Sequence, residues 1–487
     1  MPSSAPSSSR ASRTRASHSS TRQRSTMRRT ASTLSKCAAG AALCCLGVTA
    51  VQAAQFEPPG DQILLGMWFD PADPYYDTPS LINTNLGYNV PVFQLAQEIP
   101  LPPYNYTTGA GGAAPENMIE RSGTDAAVFL TVYPASGFDT VTDDDFTALG
   151  KQILDYQVNL NRTVFLRYAP EMQGLWMEYG QQPTAFNQSW HQMYNLVKAT
   201  APETIMVWAP NTPQGYPYGQ TTQFQSASAA DQALLDTNNN GELDADDDSL
   251  APYYPGDDVV DWIGLSIYYK GIPSDTQNTV QPDGYCANVI NGVNPADGAA
   301  ITPWYTTYCQ DKPDKACMFA EAAAAYHTDD DGTASQYELQ RAWVRDCVTN
   351  MTLYDNHPRL KMYMHFEHNK TESANDGSQD NRDFRMLNNT EARAEIIADL
   401  ASAGTRFSWA NSRAPPTSIS SAGAPAATNS DGQSIIQAIT ATTRAKPTTF
   451  PSLFGLTSDG TQRAEWAELG IMVAAGMVGA WTVMRTL

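Results

Sequence analysis

Thr163-Val164-Phe165-Leu166-Arg167-Tyr168-Ala169-Pro170-Glu171 passes from a β-branched and aromatic run into an Ala-Pro turn that ends on a glutamate. Apart from Arg167 the run is apolar on both faces, as in a parallel strand covered on both sides. Seven other short segments have the same character. In order, the eight expected strands are Ile63–Phe69, Tyr88–Gln94, Ala127–Tyr133, Thr163–Tyr168, Thr204–Ala209, Trp262–Tyr268, Ala316–Ala320 and Lys361–Phe366. Helical periodicity lies between them. Thr142–Asn159 opens on Asp143, Asp144 and Asp145 and repeats Phe146, Leu149, Ile153, Tyr156 and Leu160 at helical spacing. Ala185–Thr200, Gln336–Leu353 and Glu391–Ala401 read the same way. Eight strands alternating with helices predict an α/β fold, a (β/α)8 barrel in one catalytic domain over 55–410. No glycine-rich phosphate loop follows the first strand, which disfavours a dinucleotide-binding sheet.

In such a barrel, chemistry sits at the C-terminal ends of the strands. Glu171 follows the fourth strand, and Glu321, in Met318-Phe319-Ala320-Glu321, follows the seventh. Either one alone reads as a helix-terminal charge or a rim salt bridge. Two on these strands, with aromatic neighbours, point to glycoside cleavage. That reaction needs an acid for the leaving oxygen and a carboxylate at the anomeric carbon. Glu171, flanked by Pro170, Met172 and Trp176, suits the acid, and Glu321 the nucleophile. Arg167, four residues before Glu171 on the same face, is placed to orient a carboxylate; a buried structural ion pair is the alternative. Trp176, Trp208, Tyr268 and Phe366 are candidates for stacking on sugars, with core packing as the alternative. Asn211 is a candidate for a sugar hydroxyl, and Glu367 and His368 end the eighth strand.

Arg167-x-x-x-Glu171-Met172-x-Gly174-x-Trp176-x-x-Tyr179-Gly180, followed by Trp190, resembles the strand-four motif of glycoside hydrolase family 26, best known for β-mannanases. Val207-Trp208-Ala209-Pro210-Asn211, Asp261–Tyr268 and Met318–Glu321 are similar to its strands five, six and seven. The resemblance implies a retaining mechanism, with Glu171 as acid/base, Glu321 as nucleophile and Tyr268 hydrogen-bonding the nucleophile. Pro170 stands where that family usually has a histidine, and proline cannot donate a hydrogen bond into the site. The expected substrate is therefore a β-linked polysaccharide, mannan or another wall glycan. A transglycosylase and a barrel that binds glycan without cleaving it are the alternatives.

The flanks carry other signals. Residues 1–54 hold eight basic residues and no acidic one, then the apolar run Cys37–Val51 and Gln52-Ala53-Ala54. That order reads as a secretory signal, with a transit peptide as the alternative. Residues 411–460 are rich in Ser, Thr, Ala and Pro, as a stalk is. Residues 461–487 end in the apolar run Leu469–Met484, read as a GPI-anchor signal or a short transmembrane tail. The chain is expected at the cell surface or wall, as a monomer that meets the membrane only through this tail. With 30 basic against 51 acidic residues it is not expected to bind nucleic acid. Sequons stand at Asn105, Asn161, Asn187, Asn350, Asn369 and Asn388. Outside the leader, Cys286, Cys309, Cys317 and Cys347 imply two disulfides. Of the three pairings, Cys286–Cys309 with Cys317–Cys347 is expected, because each closes a short loop.

Asp236-Thr237-Asn238-Asn239-Asn240-Gly241-Glu242-Leu243-Asp244-Ala245-Asp246-Asp247 matches a twelve-residue calcium loop. Oxygen ligands fall at Asp236, Asn238, Asn240, Glu242 and Asp247, with Gly241 at the sharp turn. A structural calcium ion is the expected cofactor, and no organic cofactor is expected. A solvated acidic loop is the alternative.

Overall fold

The computed structural model describes residues 53–70, 79–100, 119–218, 222–330, 332–375 and 377–413. The leader up to residue 52, the stalk and tail beyond residue 413, and Asn105 lie outside the described residues. Eight parallel strands close into a barrel in the order β1-β2-β3-β4-β5-β6-β7-β9. They are β1 Leu64–Phe69, β2 Val92–Glu98, β3 Ala127–Tyr133, β4 Val164–Tyr168, β5 Ile205–Trp208, β6 Trp262–Tyr269, β7 Ala316–Ala324 and β9 Leu360–Glu367. The fold is a (β/α)8 barrel. A separate antiparallel sheet, order β10-β11-β8, joins β8 Tyr326–His327, β10 Asn369–Ser373 and β11 Gln379–Asp383. Because β8 and β10 continue directly from β7 and β9, this sheet stands at the C-terminal end of the barrel.

The helices form where capping and periodicity agree. α1 is Pro79–Leu86, α2 Asp143–Val158, α3 Pro183–Thr200, α4 Gln336–Trp343 and α5 Thr390–Ser402. Thr142 and Asp145 close a capping box on α2, and Phe146, Leu149, Ile153 and Tyr156 bury its inner face. The expected helix Gln336–Leu353 is broken. After α4 come a π turn, Val344–Val348, and a short helix, Met351–Asn356.

Two other expectations shift. β2 starts four residues late because Pro91 cannot donate to a ladder. The residues before it hold the C-terminal segment instead: Tyr88 stacks on Trp409 at 4.4 Å, and Ala410 N donates to Asn89 O at 2.9 Å. β7 runs four residues beyond Ala320, since its alanine-rich end pairs with Tyr268 and Tyr269 of β6. Tertiary pairing overrides the low strand propensity of alanine there.

The disulfides are Cys309–Cys317 and Cys286–Cys347, which corrects the expected pairing. Cys309–Cys317 spans only 8 residues, a shorter loop than either expected bridge. Cys286–Cys347 spans 61 residues, and packing brings its ends together. Asp346, on the π turn, accepts from Gly284 N at 3.1 Å and Cys286 N at 3.3 Å. Loop length alone ignores such long-range packing.

Side chains fill the barrel in layers. Phe129, Phe165, Ile205, Val207, Trp262, Met318, Met362 and Met364 belong to one buried cluster inside it. Ala209, Gly264 and Ala320 then narrow the packing. A Cβ at Gly264 would lie 2.7 Å from the Ala209 Cβ and 2.8 Å from the Ala320 Cβ. Two residues further along β6 comes Ser266, where the interior turns polar. Gly264→Ala is expected to destabilise the fold by about 1–3 kcal/mol through overpacking. Urea unfolding checks this; an unchanged midpoint would mean that this layer is not close-packed.

Candidate active site

Arg167 projects from β4 into the barrel and is fully buried. Its Nη1 donates to Glu321 Oε2 at 2.5 Å, and its Nη2 donates to Ser266 Oγ at 2.6 Å. The other Glu321 oxygen, Oε1, accepts from the Tyr268 hydroxyl. Glu321 reaches this position through a bulge in β7. Leu265 pairs with Phe319, but Ser266 pairs with Glu321, so Ala320 is an extra residue. The pairing with β9 shifts at the same place. In an unbroken strand, neighbouring residues point to opposite faces. Here Ala320 and Glu321 both face inward, and re-aiming a side chain in this way is what a bulge does.

Glu171 is held by a different device. Ala169 (φ 44°) and Glu171 (φ 56°) are both left-handed, on either side of Pro170. Such conformations cost energy in non-glycine residues and persist only where neighbours fix them. Glu171 N donates to Ala209 O at 3.0 Å, and the Tyr179 hydroxyl donates to Pro170 O at 2.8 Å. The buried Gln173 amide exchanges two bonds with Asn211, one to its carbonyl at 2.6 Å and one from its N–H at 3.1 Å. The β4 and β5 loops are thereby tied together. Trp176 Nε1 donates to Glu171 Oε2 at 2.8 Å, and the indole packs edge-on to Tyr218 with centroids 5.0 Å apart. A Cβ at Gly174 would lie 2.4 Å from the Trp176 ring, so only glycine lets the indole fold back to the carboxylate.

The electrostatics set the two glutamates apart. Burial raises the pKa of Glu171, and the negative charge of Glu321 raises it further; Arg167, Ser266 and Trp176 pull it down without offsetting the rise. Burial alone would lower the pKa of Arg167, but Glu321, Tyr133 and Glu171 together outweigh it, so the guanidinium stays charged. Burial first, and Glu321 second, push the Tyr268 phenol up, so it remains a donor. Tyr133, at the end of β3, is driven up mainly by burial and then by Glu321.

The barrel brings Glu171, Glu321, Arg167, Trp176, Tyr268 and Asn211 to one end. Trp208 is not among them. It is fully buried on the outer face of β5, packed on Tyr254 at 4.9 Å and Tyr308 at 5.1 Å. Strand alternation explains the correction, since Val207 and Ala209 take the inward positions. Phe366 faces the mouth but is only 1% exposed. It backs Tyr268 (5.7 Å) and Trp68 (4.9 Å) and has no open face for a sugar. Glu367 is fully buried and accepts from Met386 N at 2.9 Å and Leu387 N at 3.0 Å, a structural anchor. His368 stacks on Phe366 at 4.6 Å. Ser266, Tyr133 and Gln173 were not anticipated. Period-two counting back from Tyr268 finds Ser266, and Tyr133 is the last residue of its strand; Gln173 sits in a loop and leaves no pattern.

The calcium-type loop follows a short helix, Ala229–Leu235. Asp236 accepts from Asn240 N at 2.9 Å and Gly241 N at 2.8 Å. Asp247 accepts from Thr237 N at 2.7 Å and Asp244 N at 3.0 Å. Gly241 takes φ 89° at the sharp turn, and Leu243 is 1% exposed. Among the described residues, the side-chain oxygens of Asp236, Glu242 and Asp247 do not gather into a group with metal-binding spacing. The one group that does, Cys286, Asp346 and Cys347, contains a disulfide.

No family model matches the sequence, and no curated protein matches it. Solved structures do. An endo-β-1,4-mannanase double mutant from Cellulomonas fimi is 13% identical with a TM-score of 0.42, covering 72% of this chain and 72% of its own. The catalytic domain of a Bacillus sp. JAMB-750 GH26 endo-β-1,4-mannanase is 15% identical with a TM-score of 0.41, covering 72% and 87%. The virulence factor SghA, in complex with its substrate analogue salicin, is 10% identical with a TM-score of 0.39, covering 70% and 96%. Likenesses this remote carry no functional argument.

Arg167→Met is expected to destabilise the protein by about 3 kcal/mol, because it strands a largely buried carboxylate. Adding Glu321→Gln should recover part of that loss. Thermal and urea unfolding of the single and double variants measure the coupling. A stable single variant would show that the pair does not organise this layer.

Proposed function

We propose that the chain is a retaining glycoside hydrolase acting on a β-linked polysaccharide, with mannan-type and other wall glycans as candidate substrates. One observation carries the reading: Glu321, at the bulge in β7, and Glu171, in the turn after β4, share an electrostatic neighbourhood but have unlike partners. Glu321 is gripped through both oxygens by Arg167 and Tyr268. An oriented carboxylate backed by a cation suits attack on the anomeric carbon. Glu171, whose pKa is raised, suits the acid. It protonates the glycosidic oxygen as Glu321 bonds to the sugar. The resulting Glu171 carboxylate then takes a proton from the water that releases the sugar from Glu321. If another sugar replaces that water, the same site performs transglycosylation. Trp176, 46% exposed beside Glu171, offers a face to a bound sugar.

We further propose a cell-surface location. The basic leader, the terminal apolar run and the paired cysteines support it. Among the described sequons, Asn161 and Asn369 are exposed. Calcium binding by Asp236, Asn238, Asn240, Glu242 and Asp247 is proposed from ligand spacing and the Gly241 turn. The metal would be a clamp on the insertion between β5 and β6, remote from the chemistry in role. EGTA is expected to lower Tm and calcium to restore it; identical melting with and without chelator would remove calcium from the proposal.

Glu171→Gln should lower kcat on polysaccharide by about 10²–10⁴-fold. It should spare glycosides whose leaving group needs no proton. Glu321→Gln should abolish turnover of both, and a 2-fluoro glycoside should label Glu321 in the wild type. The pH profile of kcat/KM follows from the sign of the Glu171 shift. Activity needs the protonated acid, so it is lost as pH rises through a pKa above the usual carboxyl range, and that limb disappears in Glu171→Gln. Wild type and both variants equally inert toward a panel of β-glycans would overturn the enzyme reading.

A further inference from the structure

A serine hydroxyl carries one proton and two lone pairs, whereas a guanidinium can only donate. Ser266 Oγ therefore accepts from Arg167 Nη2, at 2.6 Å, and its own proton is left to give elsewhere. Ser266 is fully buried, so that proton needs a partner within the protein. The Glu171 carboxyl group lies within its hydrogen-bonding reach. The backbone explains the approach. Ser266 N donates to Pro210 O at 2.8 Å, and Ser266 O accepts from Thr212 N at 2.9 Å. Ala209, just before Pro210, takes the Glu171 N–H on its carbonyl. Strand β6 is thus stitched to the same loop that holds the turn of Glu171.

Arg167 consequently stands between the two glutamates with one nitrogen for each. Nη1 goes straight to Glu321 Oε2 at 2.5 Å, and Nη2 reaches Glu171 through the neutral hydroxyl. The other ionisable groups whose field reaches Glu171 keep a fixed charge where carboxyl groups titrate. Burial keeps the phenols of Tyr133, Tyr179, Tyr218 and Tyr268 protonated. Burial works against the Lys370 ammonium, but Glu372, Glu321 and Glu171 hold it charged. A charge that passes between the two glutamates is therefore left to Arg167 and Ser266 to answer.

We propose that Ser266 is a positioning residue of the reaction: its hydroxyl accepts from Arg167 and donates to Glu171, so that one guanidinium serves both glutamates in turn. The inference rests on the glycoside hydrolase reading above and adds a residue to its mechanism. In the first step a Glu321 oxygen bonds to the anomeric carbon, the glycosidic C–O bond breaks, and the Glu171 proton goes to the leaving oxygen. The negative charge thereby passes from Glu321, now an ester, to Glu171. Water then gives a proton to Glu171 and its oxygen to the anomeric carbon, the ester C–O bond breaks, and the charge returns to Glu321. Ser266 lets the same cation answer the charge at either place without any group moving, which is the advantage of a preorganised site.

A hydrogen bond donated to a carboxylate favours the ionised form, so its removal in Ser266→Ala should raise the Glu171 pKa. The readout is the titration of the Glu171 carboxyl by carbon-13 NMR in protein labelled at glutamate Cδ, its signal identified by loss in Glu171→Gln. The midpoint should rise by about one pH unit in Ser266→Ala. It should keep its wild-type value in Ser266→Thr, which retains the hydroxyl. The alkaline limb of kcat/KM should move up with the midpoint. Where the second step limits turnover, Glu171 must be ionised, and kcat at neutral pH should fall about ten-fold in Ser266→Ala. A lower Tm in Ser266→Ala with the midpoint unmoved would mean a structural role alone. That result, a lowered midpoint, or an equal rise in Ser266→Thr would overturn the relay and leave the hydrolase standing, since the titration needs no substrate. Failure to cleave any β-glycan of the panel, together with no labelling of Glu321, would overturn the hydrolase and the role of Ser266 in it.

Discussion

A guanidinium buried in a barrel must be answered by an anion, and Arg167 is answered by Glu321. Much of the upper barrel follows from that pair. Glu321 has to face inward, against the alternation of β7, and the bulge at Ala320 makes it do so. Ser266 takes the second guanidinium nitrogen, and Tyr268 takes the second carboxylate oxygen. Gly264 comes two residues before Ser266 on the same strand face, where no side chain would fit between Ala209 and Ala320. A hydrophobic floor, a layer of small residues and a charged top thus succeed one another along β6.

Glu171 belongs to no such network of charges. Its position comes from backbone geometry, two left-handed residues locked by Ala209 O, Tyr179 and the Gln173–Asn211 exchange. The consequence is chemical. Glu171, enclosed by protein and beside the charge of Glu321, keeps its proton to higher pH than an ordinary carboxyl group. Two glutamates of identical chemistry are given unlike surroundings by what their strands place beside them, and the proposed division into acid and nucleophile rests on that difference.

The sequence revealed what repeats and concealed what occurs once. All eight barrel strands were legible, because each is apolar on both faces and the spacing is regular. The pair Glu171 and Glu321 was legible from strand ends, and Arg167 and Tyr268 from face counting and the family resemblance. Three features were not. The β7 bulge is a single inserted residue in an alanine run, with no local signature. Trp208 looked like a site aromatic because it ends a strand, but inward and outward positions on β5 depend on register with β4 and β6. The disulfide pairing depends on the π turn at Val344–Val348, which interrupts a segment whose periodicity reads as one helix.

Pro170 shows why a departure from a family motif is best judged by what it does in place. Its nitrogen has no proton to offer, so a donor role is closed to it. Its carbonyl accepts from Tyr179, and its ring fixes φ between two left-handed residues. The turn that presents Glu171 is therefore stiffened where a histidine would have lent a hydrogen bond. Fixing the backbone in this way limits the freedom of the residue that carries the Glu171 carboxyl group. With no donor at that position, Glu171 takes its hydrogen bond from a side chain five residues further on, the Trp176 indole, which the glycine at position 174 lets fold back onto it.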